Sequence, residues 1–166
     1  MCDQQRPKSA APSGKEPAKP VLKLGAFLPY RLNHLAETVS RSLSRIYADT
    51  YGIGIPEWRV LATLGEHKAM TARDISQATS MHKTKVSRAV AALEKRDLLV
   101  RDKNRNDQRE QSLSLSEKGN AMYEDIVPQA LAYSKNLEDA LTEEQKSVLD
   151  EVFERLHEAA RAGQSD

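Results

Sequence analysis

A mainly α fold with one small β-hairpin is predicted by three features of the chain. Apolar residues recur at helical spacing through most of residues 27–160. The stretch "QSLSLS" at 111–116 alternates instead with the two-residue period of a half-buried strand, and "LLVRDK" at 98–103 precedes it as its partner. Thr71 with Asp74, and Thr142 with Gln145, have the spacing of capping boxes that open helices. The predicted order is four helices, a hairpin, and two further helices.

The chain has 166 residues, which suits one domain. Residues 1–20, "MCDQQRPKSAAPSGKEPAKP", hold no large aliphatic residue after Met1 and cannot bury enough surface to offset ordering. They are predicted to be a disordered tail, and residues 21–166 a single folded unit.

The elements follow in order. Leu32, Leu35, Ala36, Val39, Leu43 and Ile46 place a helix from about Pro29 to Tyr51, stopped by "GIG" at 52–54. A second helix opens at Pro56, which suits a first helical turn, carries Trp58, Leu61 and Leu64, and ends at Gly65. Thr71 starts a short third helix running through about Ala78 and anchored by Ile75. The fourth shows Val86, Ala89, Val90 and Leu93 on one face, with Thr84, Arg88, Ala91 and Lys95 on the other and Ser87 at the flank. "NRNDQR" turns between the two strands. Ser116 caps a fifth helix to about Lys135, with Pro128 as a kink. The last helix carries the stripe Leu149, Val152, Phe153 and Leu156. There is no internal repeat.

Net charge is +1, but it is unevenly spread. Residues 82–110 hold nine Lys/Arg against five Asp/Glu, whereas residues 116–166 hold five against twelve. Such asymmetry marks either solvated helix faces or a segregated binding surface. The third and fourth helices are separated by three or four residues, which is helix-turn-helix spacing. In that arrangement the second helix enters the DNA major groove N-terminus first. Lys83, Thr84, Lys85, Ser87 and Arg88 fill its first two turns. Arg88 can pair bidentately with guanine, and Thr84 and Ser87 suit bases or phosphates. A hairpin tipped by Arg105 and Arg109 can reach an adjacent minor groove. An ordinary solvated helix with a charged hairpin is the competing account.

These pieces together resemble the MarR-type winged helix-turn-helix regulators, over residues 27–160. "IPEWRVLATL" looks like the family's second helix, "TKVSRAVAALEKRDLLVR" like its recognition helix and first wing strand, and "NDQREQSLSLSEKG" like its wing and the helix start beyond. The resemblance implies that Asp107 orients the wing by pairing with a nearby Arg, such as Arg101 or Arg105, and that Arg109 enters the minor groove. Gln108 replaces the usual first Arg of the wing. Asp97 stands where the family has Gly, at a left-handed turn that Asp tolerates. His82 stands where the family often has Ser or Asp as N-cap and reads as an exposed bystander, with a capping or phosphate-facing imidazole as the alternatives. A homodimer on a palindromic site is implied, with residues 27–51 and 117–161 as dimerisation helices and residues 55–116 as the DNA-binding lobe.

Many relatives bind small aromatic acids or phenols in a cleft between the dimer helices and the DNA-binding lobe. The resemblance then implies Arg31, His34, Leu35, Thr38, Trp58 and Met122 as ligand-binding residues. Leu35 also reads as core, and Trp58 as the anchor of the second helix. An alternative is a regulator controlled by thiol oxidation, or by no ligand. Cys2 is the only thiol and lies in the tail, with no fixed electropositive site to activate it. No disulfide, metal site or cofactor is expected, since the four His have no ligand spacing. No phosphate loop or nucleophile motif suggests an enzyme. No apolar run reaches membrane length and the start lacks a signal-peptide core, so a cytoplasmic location is expected.

Overall fold

The structure, a computed structural model, describes residues 20–103 and 111–163. Cys2, Arg105, Asp107, Gln108 and Arg109, with nearly all of the expected tail, lie outside the described residues. The chain divides into two compact units, residues 1–36 and 37–166. Helix α1, Leu28–Tyr51, begins in the first and ends in the second.

The described part of the first unit holds a 3-10 turn at Leu24–Ala26 and the opening of α1. Tyr30 and His34 stack one helical turn apart, with ring centroids separated by 6.1 Å. Val21, Leu22, Leu24, Phe27, Leu28, Leu32 and Leu35 are exposed. The reading of Leu35 as core is therefore corrected: its side chain is 58% exposed in the single chain.

In the second unit α1 stops at Gly52, whose φ of 60° is the left-handed turn that glycine takes without steric cost. Helix α2, Ile55–His67, follows with Pro56 in its first turn, and Glu57 accepts from the Gly54 amide at 3.0 Å. Gly65 does not end α2. It is buried inside the helix, where a Cβ would meet the Tyr123 ring at 2.5 Å. The glycine permits close packing, and the helix ends two residues later. Lys68 takes the positive-φ turn expected of the glycine, at φ 67°.

Strand β1, Ala69–Thr71, is an element the sequence does not suggest. It pairs antiparallel with β3, Gln111–Leu115, which also pairs with β2, Leu99–Lys103, giving the order β1-β3-β2. The hairpin register runs from Leu99 opposite Leu115 to Lys103 opposite Gln111. Leu113 and Leu115 are buried, as the alternation requires.

Helix α3, Ala72–Ala78, starts at the expected capping box: the Asp74 amide donates to Thr71 Oγ1 at 3.1 Å, and the Thr71 amide to Asp74 Oδ2 at 3.4 Å. Helix α4 is Lys83–Glu94. Asp97 follows it at φ 58°, the left-handed position expected of it. Helix α5, Glu117–Glu138, is capped by Ser116, whose Oγ accepts from the Gly119 amide at 3.0 Å. It runs through Pro128 and ends three residues beyond Lys135, where its end is expected from the sequence. Helix α6, Glu143–Ala162, opens with the Thr142–Gln145 box and contains no buried residue. The core gathers Tyr47, Leu61, Leu64, Ile75, Val86, Leu93, Leu98, Leu113 and Ile126, among others.

Candidate nucleic-acid interface

Helices α3 and α4 flank a four-residue turn, 79–82. Ser80 sits there at φ 53°, and Ser76 Oγ donates to the Met81 carbonyl at 2.6 Å. Met81 is buried beneath the turn. Val86, Ala89, Val90 and Leu93 bury one face of α4 in the core. Lys83, Thr84, Lys85, Ser87 and Arg88 are therefore all held on its exposed side, in its first two turns. Ala91 continues that side with a small residue. Among the described residues no carboxylate pairs with Lys83, Lys85 or Arg88. Three unneutralised cations at a helix N-terminus, which itself favours anions, form a surface suited to a polyanion.

Of the readings open to His82, the structure shows the cap: the residue is exposed but is not a bystander. Its Nδ1 accepts from the Thr84 amide at 3.3 Å, so the imidazole caps α4. The cap is local, and the β-region backbone at His82 is what an N-cap needs.

The hairpin is fastened to the end of α4. Arg101 on β2 forms a forked ion pair with Glu94, with Nη2 donating to Oε2 at 2.9 Å, and Nη1 donates to Gln111 Oε1 on β3 at 3.1 Å. The Glu94 carboxylate holds the Arg101 guanidinium further above its ordinary value. The sequence links Arg101 to Asp107, which lies outside the described residues, and does not single out Glu94 or Gln111. No short-range pairing rule connects Glu94 to Arg101; only the turn after α4 brings β2 back beside it.

The proposed ligand residues are placed as follows. Arg31, His34 and Leu35 lie exposed on α1 in the first unit. In the second, Thr38 is exposed on α1 and Met122 half-buried against the core. Trp58 is buried and stacks on Tyr47, with ring centroids 5.3 Å apart and planes 22° apart. This packing suits its reading as the anchor of α2 and leaves its reading as a ligand residue untouched. Burial pushes the Tyr47 phenol up to about 12. Among the described residues no group of three His, Cys, Asp or Glu could hold a metal ion, and no helix is long and apolar enough to cross a membrane.

Comparison with known proteins agrees with this geometry. Residues 51–110 match the model of the MarR family. An uncharacterised HTH-type transcriptional regulator of Bacillus cereus is 25% identical over 119 residues, covering 71% of this chain and 79% of its own. The crystal structure of a MarR/EmrR family transcriptional regulator from an Acinetobacter species is 25% identical, with a TM-score of 0.77 over 85% of this chain and 99% of its own. NadR, solved in complex with 4-hydroxyphenylacetate, shares the fold at 24% identity and a TM-score of 0.68, over 82% of this chain and 96% of its own. These relatives are transcriptional regulators rather than enzymes. With its helix-turn-helix, its three-stranded sheet and these matches, the chain is similar to the MarR family of winged helix-turn-helix transcriptional regulators, whose model its residues 51–110 match.

Proposed function

We propose that two copies of this chain pair and present their α4 helices to a palindromic DNA operator, and that a small aromatic or phenolic ligand modulates the binding. The observation that carries the reading is the exposed, unneutralised face of α4, with Lys83, Lys85 and Arg88 around Thr84 and Ser87. Arg88 reads a base edge, and the lysines hold phosphates. Arg105 and Arg109 extend the contact from the wing, with Asp107 bracing it.

Pairing is supported by helices that remain apolar and uncovered in one chain. Val148, Val152 and Phe153 on α6 and Leu131 and Leu137 on α5 are exposed, as are Leu28, Leu32 and Leu35 on α1. A monomer seldom leaves such surface to water. For the ligand, support comes from the family and from NadR, whose crystal structure holds a phenolic acid. Arg31 and His34 offer cationic or hydrogen-bonding groups for a carboxylate, with Leu35, Thr38, Trp58 and Met122 completing the proposed set. Its place of action is the cytoplasm.

The test is fluorescence anisotropy with a duplex selected from random sequence, against a scrambled duplex, over a salt series. Tight, steeply salt-dependent and sequence-selective binding by a species that sediments as a dimer is expected. Equal affinity for both duplexes, or a monomer at micromolar concentration, would overturn it. Adding 4-hydroxyphenylacetate and simpler phenols tests the ligand separately.

A further inference from the structure

Arg96 lies just beyond the C-terminal cap of α4, is half-buried, and points back to the end of α1. Its Nη2 donates to the Tyr51 carbonyl at 2.6 Å and its Nη1 to the Gly52 carbonyl at 3.3 Å. Those are carbonyls that a helix end leaves without intrahelical partners, and a cation there also meets the favourable end of the helix dipole. Among the described residues no carboxylate pairs with Arg96. Glu94 is engaged by Arg101 and Asp125 by the Tyr51 hydroxyl.

The same junction is tied to α5. Lys118 Nζ donates to the Arg96 carbonyl at 2.9 Å, and Ser116 Oγ to the Asp97 carbonyl at 2.6 Å. Gly119 lets α5 approach so closely that a Cβ there would lie 2.1 Å from the Leu98 carbonyl oxygen. The exit of α4, the end of α1 and the start of α5 thus meet at one residue, and α1 and α5 carry the uncovered apolar surface described above.

We infer that Arg96 is a positioning residue for DNA binding: it fixes the direction in which α4 stands from α1 and α5, and so sets how the exposed face meets a duplex without touching it. The planar guanidinium suits the task because its rigid fork bridges two successive carbonyls in a fixed direction, whereas an ammonium's donors rotate about a flexible stem. The inference rests on α4 being the reading helix.

The full chain, with Arg96→Ala, Arg96→Lys and Lys118→Ala, tests it by two readouts. Amide hydrogen exchange on the free protein should quicken at residues 93–98 in Arg96→Ala while α3 keeps its protection. Affinity for a selected operator should fall roughly tenfold, the order expected for losing charged hydrogen bonds. Affinity for random duplex and the salt slope should stay as in wild type. Arg96→Lys should recover part of the loss, and Lys118→Ala should move both readouts the same way by less. Equal loss on both duplexes, with a salt slope shallower by about one, would make Arg96 a phosphate contact instead. Unchanged exchange and affinity would leave it a plain surface cation, and quickened exchange throughout α2–α4 would make it a general stabiliser; either overturns the inference. The exchange readout needs no DNA, so failure of the clamp is distinguishable from failure of α4 as the reading helix.

Discussion

Helices α4 and α6 are both amphipathic, yet they complete themselves in different ways. Helix α4 buries Val86, Ala89, Val90 and Leu93 within its own chain, and what it leaves to solvent is polar and cationic. Each larger aliphatic side chain so buried contributes about 1.5–3 kcal/mol. Helix α6 carries Val148, Leu149, Val152, Phe153 and Leu156, and buries none of them. The exposed face of α4 is finished for a hydrophilic partner, while that of α6 is unfinished. On the proposed function the difference separates two tasks along the chain: α4 is packed so that its outer face is free to read DNA, and α6 is left open for a second copy to close.

The largest expected effect breaks the comparison at α6. Phe153 is 50% exposed in one chain. Phe153→Asp should weaken pairing at least roughly a hundredfold, because an unpaired carboxylate in an apolar interface costs several kcal/mol. Sedimentation over a dilution series reads this directly. A dimer as tight as wild type would show that Phe153 lies outside the surface through which two copies pair. At the other end, Gly119→Ala should cost about 3 kcal/mol or more, since the obstructing atom is the Leu98 backbone oxygen and not a movable side chain. Urea unfolding checks it, and a loss under about 1 kcal/mol would show that the α4–α5 junction yields more easily than its packing implies.

Much of the fold is legible in the sequence because local chemistry sets it. The Thr71–Asp74 and Thr142–Gln145 boxes and the Ser116 cap obey rules that span a few residues, and all three are found where those rules put them; the left-handed Asp97 is found where the family resemblance implies it. Features settled by distant partners are not legible. Strand β1 is three residues long and is defined only by pairing with β3. Gly65 has two uses open to a glycine, a helix stop or a close approach, and Tyr123 on α5 decides between them. The engagement of Arg101 by Glu94, and of the α1 carbonyls by Arg96, equally depends on how the chain returns upon itself. For the candidate site this means that the types and face of the α4 residues are readable, whereas the supports that hold the helix are not.

A smaller effect sharpens the reading face. Arg88 is exposed in the second turn of α4, and no carboxylate among the described residues neutralises it. Arg88→Ala should cost about 1–3 kcal/mol on a selected operator and much less on random duplex, as a lost bidentate base contact does. Lys85→Ala should weaken both duplexes alike and lower the salt slope by about one. If the two variants behave identically across the salt series, Arg88 is a phosphate contact and the helix reads sequence through other residues.

The smallest expected effect concerns how each helix begins. Helix α6 starts with a reciprocal cap, in which the Thr142 amide donates to Gln145 Oε1 at 2.9 Å and the Gln145 amide to Thr142 Oγ1 at 3.2 Å. Helix α4 starts with a single longer bond, from the Thr84 amide to His82 Nδ1 at 3.3 Å. The asymmetry fits the burial: a helix fixed by four core residues needs little help from its first turn, and one with no fully buried residue needs more. His82→Ala should therefore cost no more than about 0.5 kcal/mol in urea unfolding, at the low end of cap substitutions, and His82→Asn should gain a few tenths because Asn is among the preferred caps. Thr142→Ala should cost about 1 kcal/mol of local helix stability. That loss is read as faster amide exchange in the first turn of α6. Operator affinity should change less than twofold in both His82 variants if the imidazole serves the helix alone. A larger loss in His82→Ala than in His82→Asn, at matched stability, would move His82 from the cap to the DNA-contacting face.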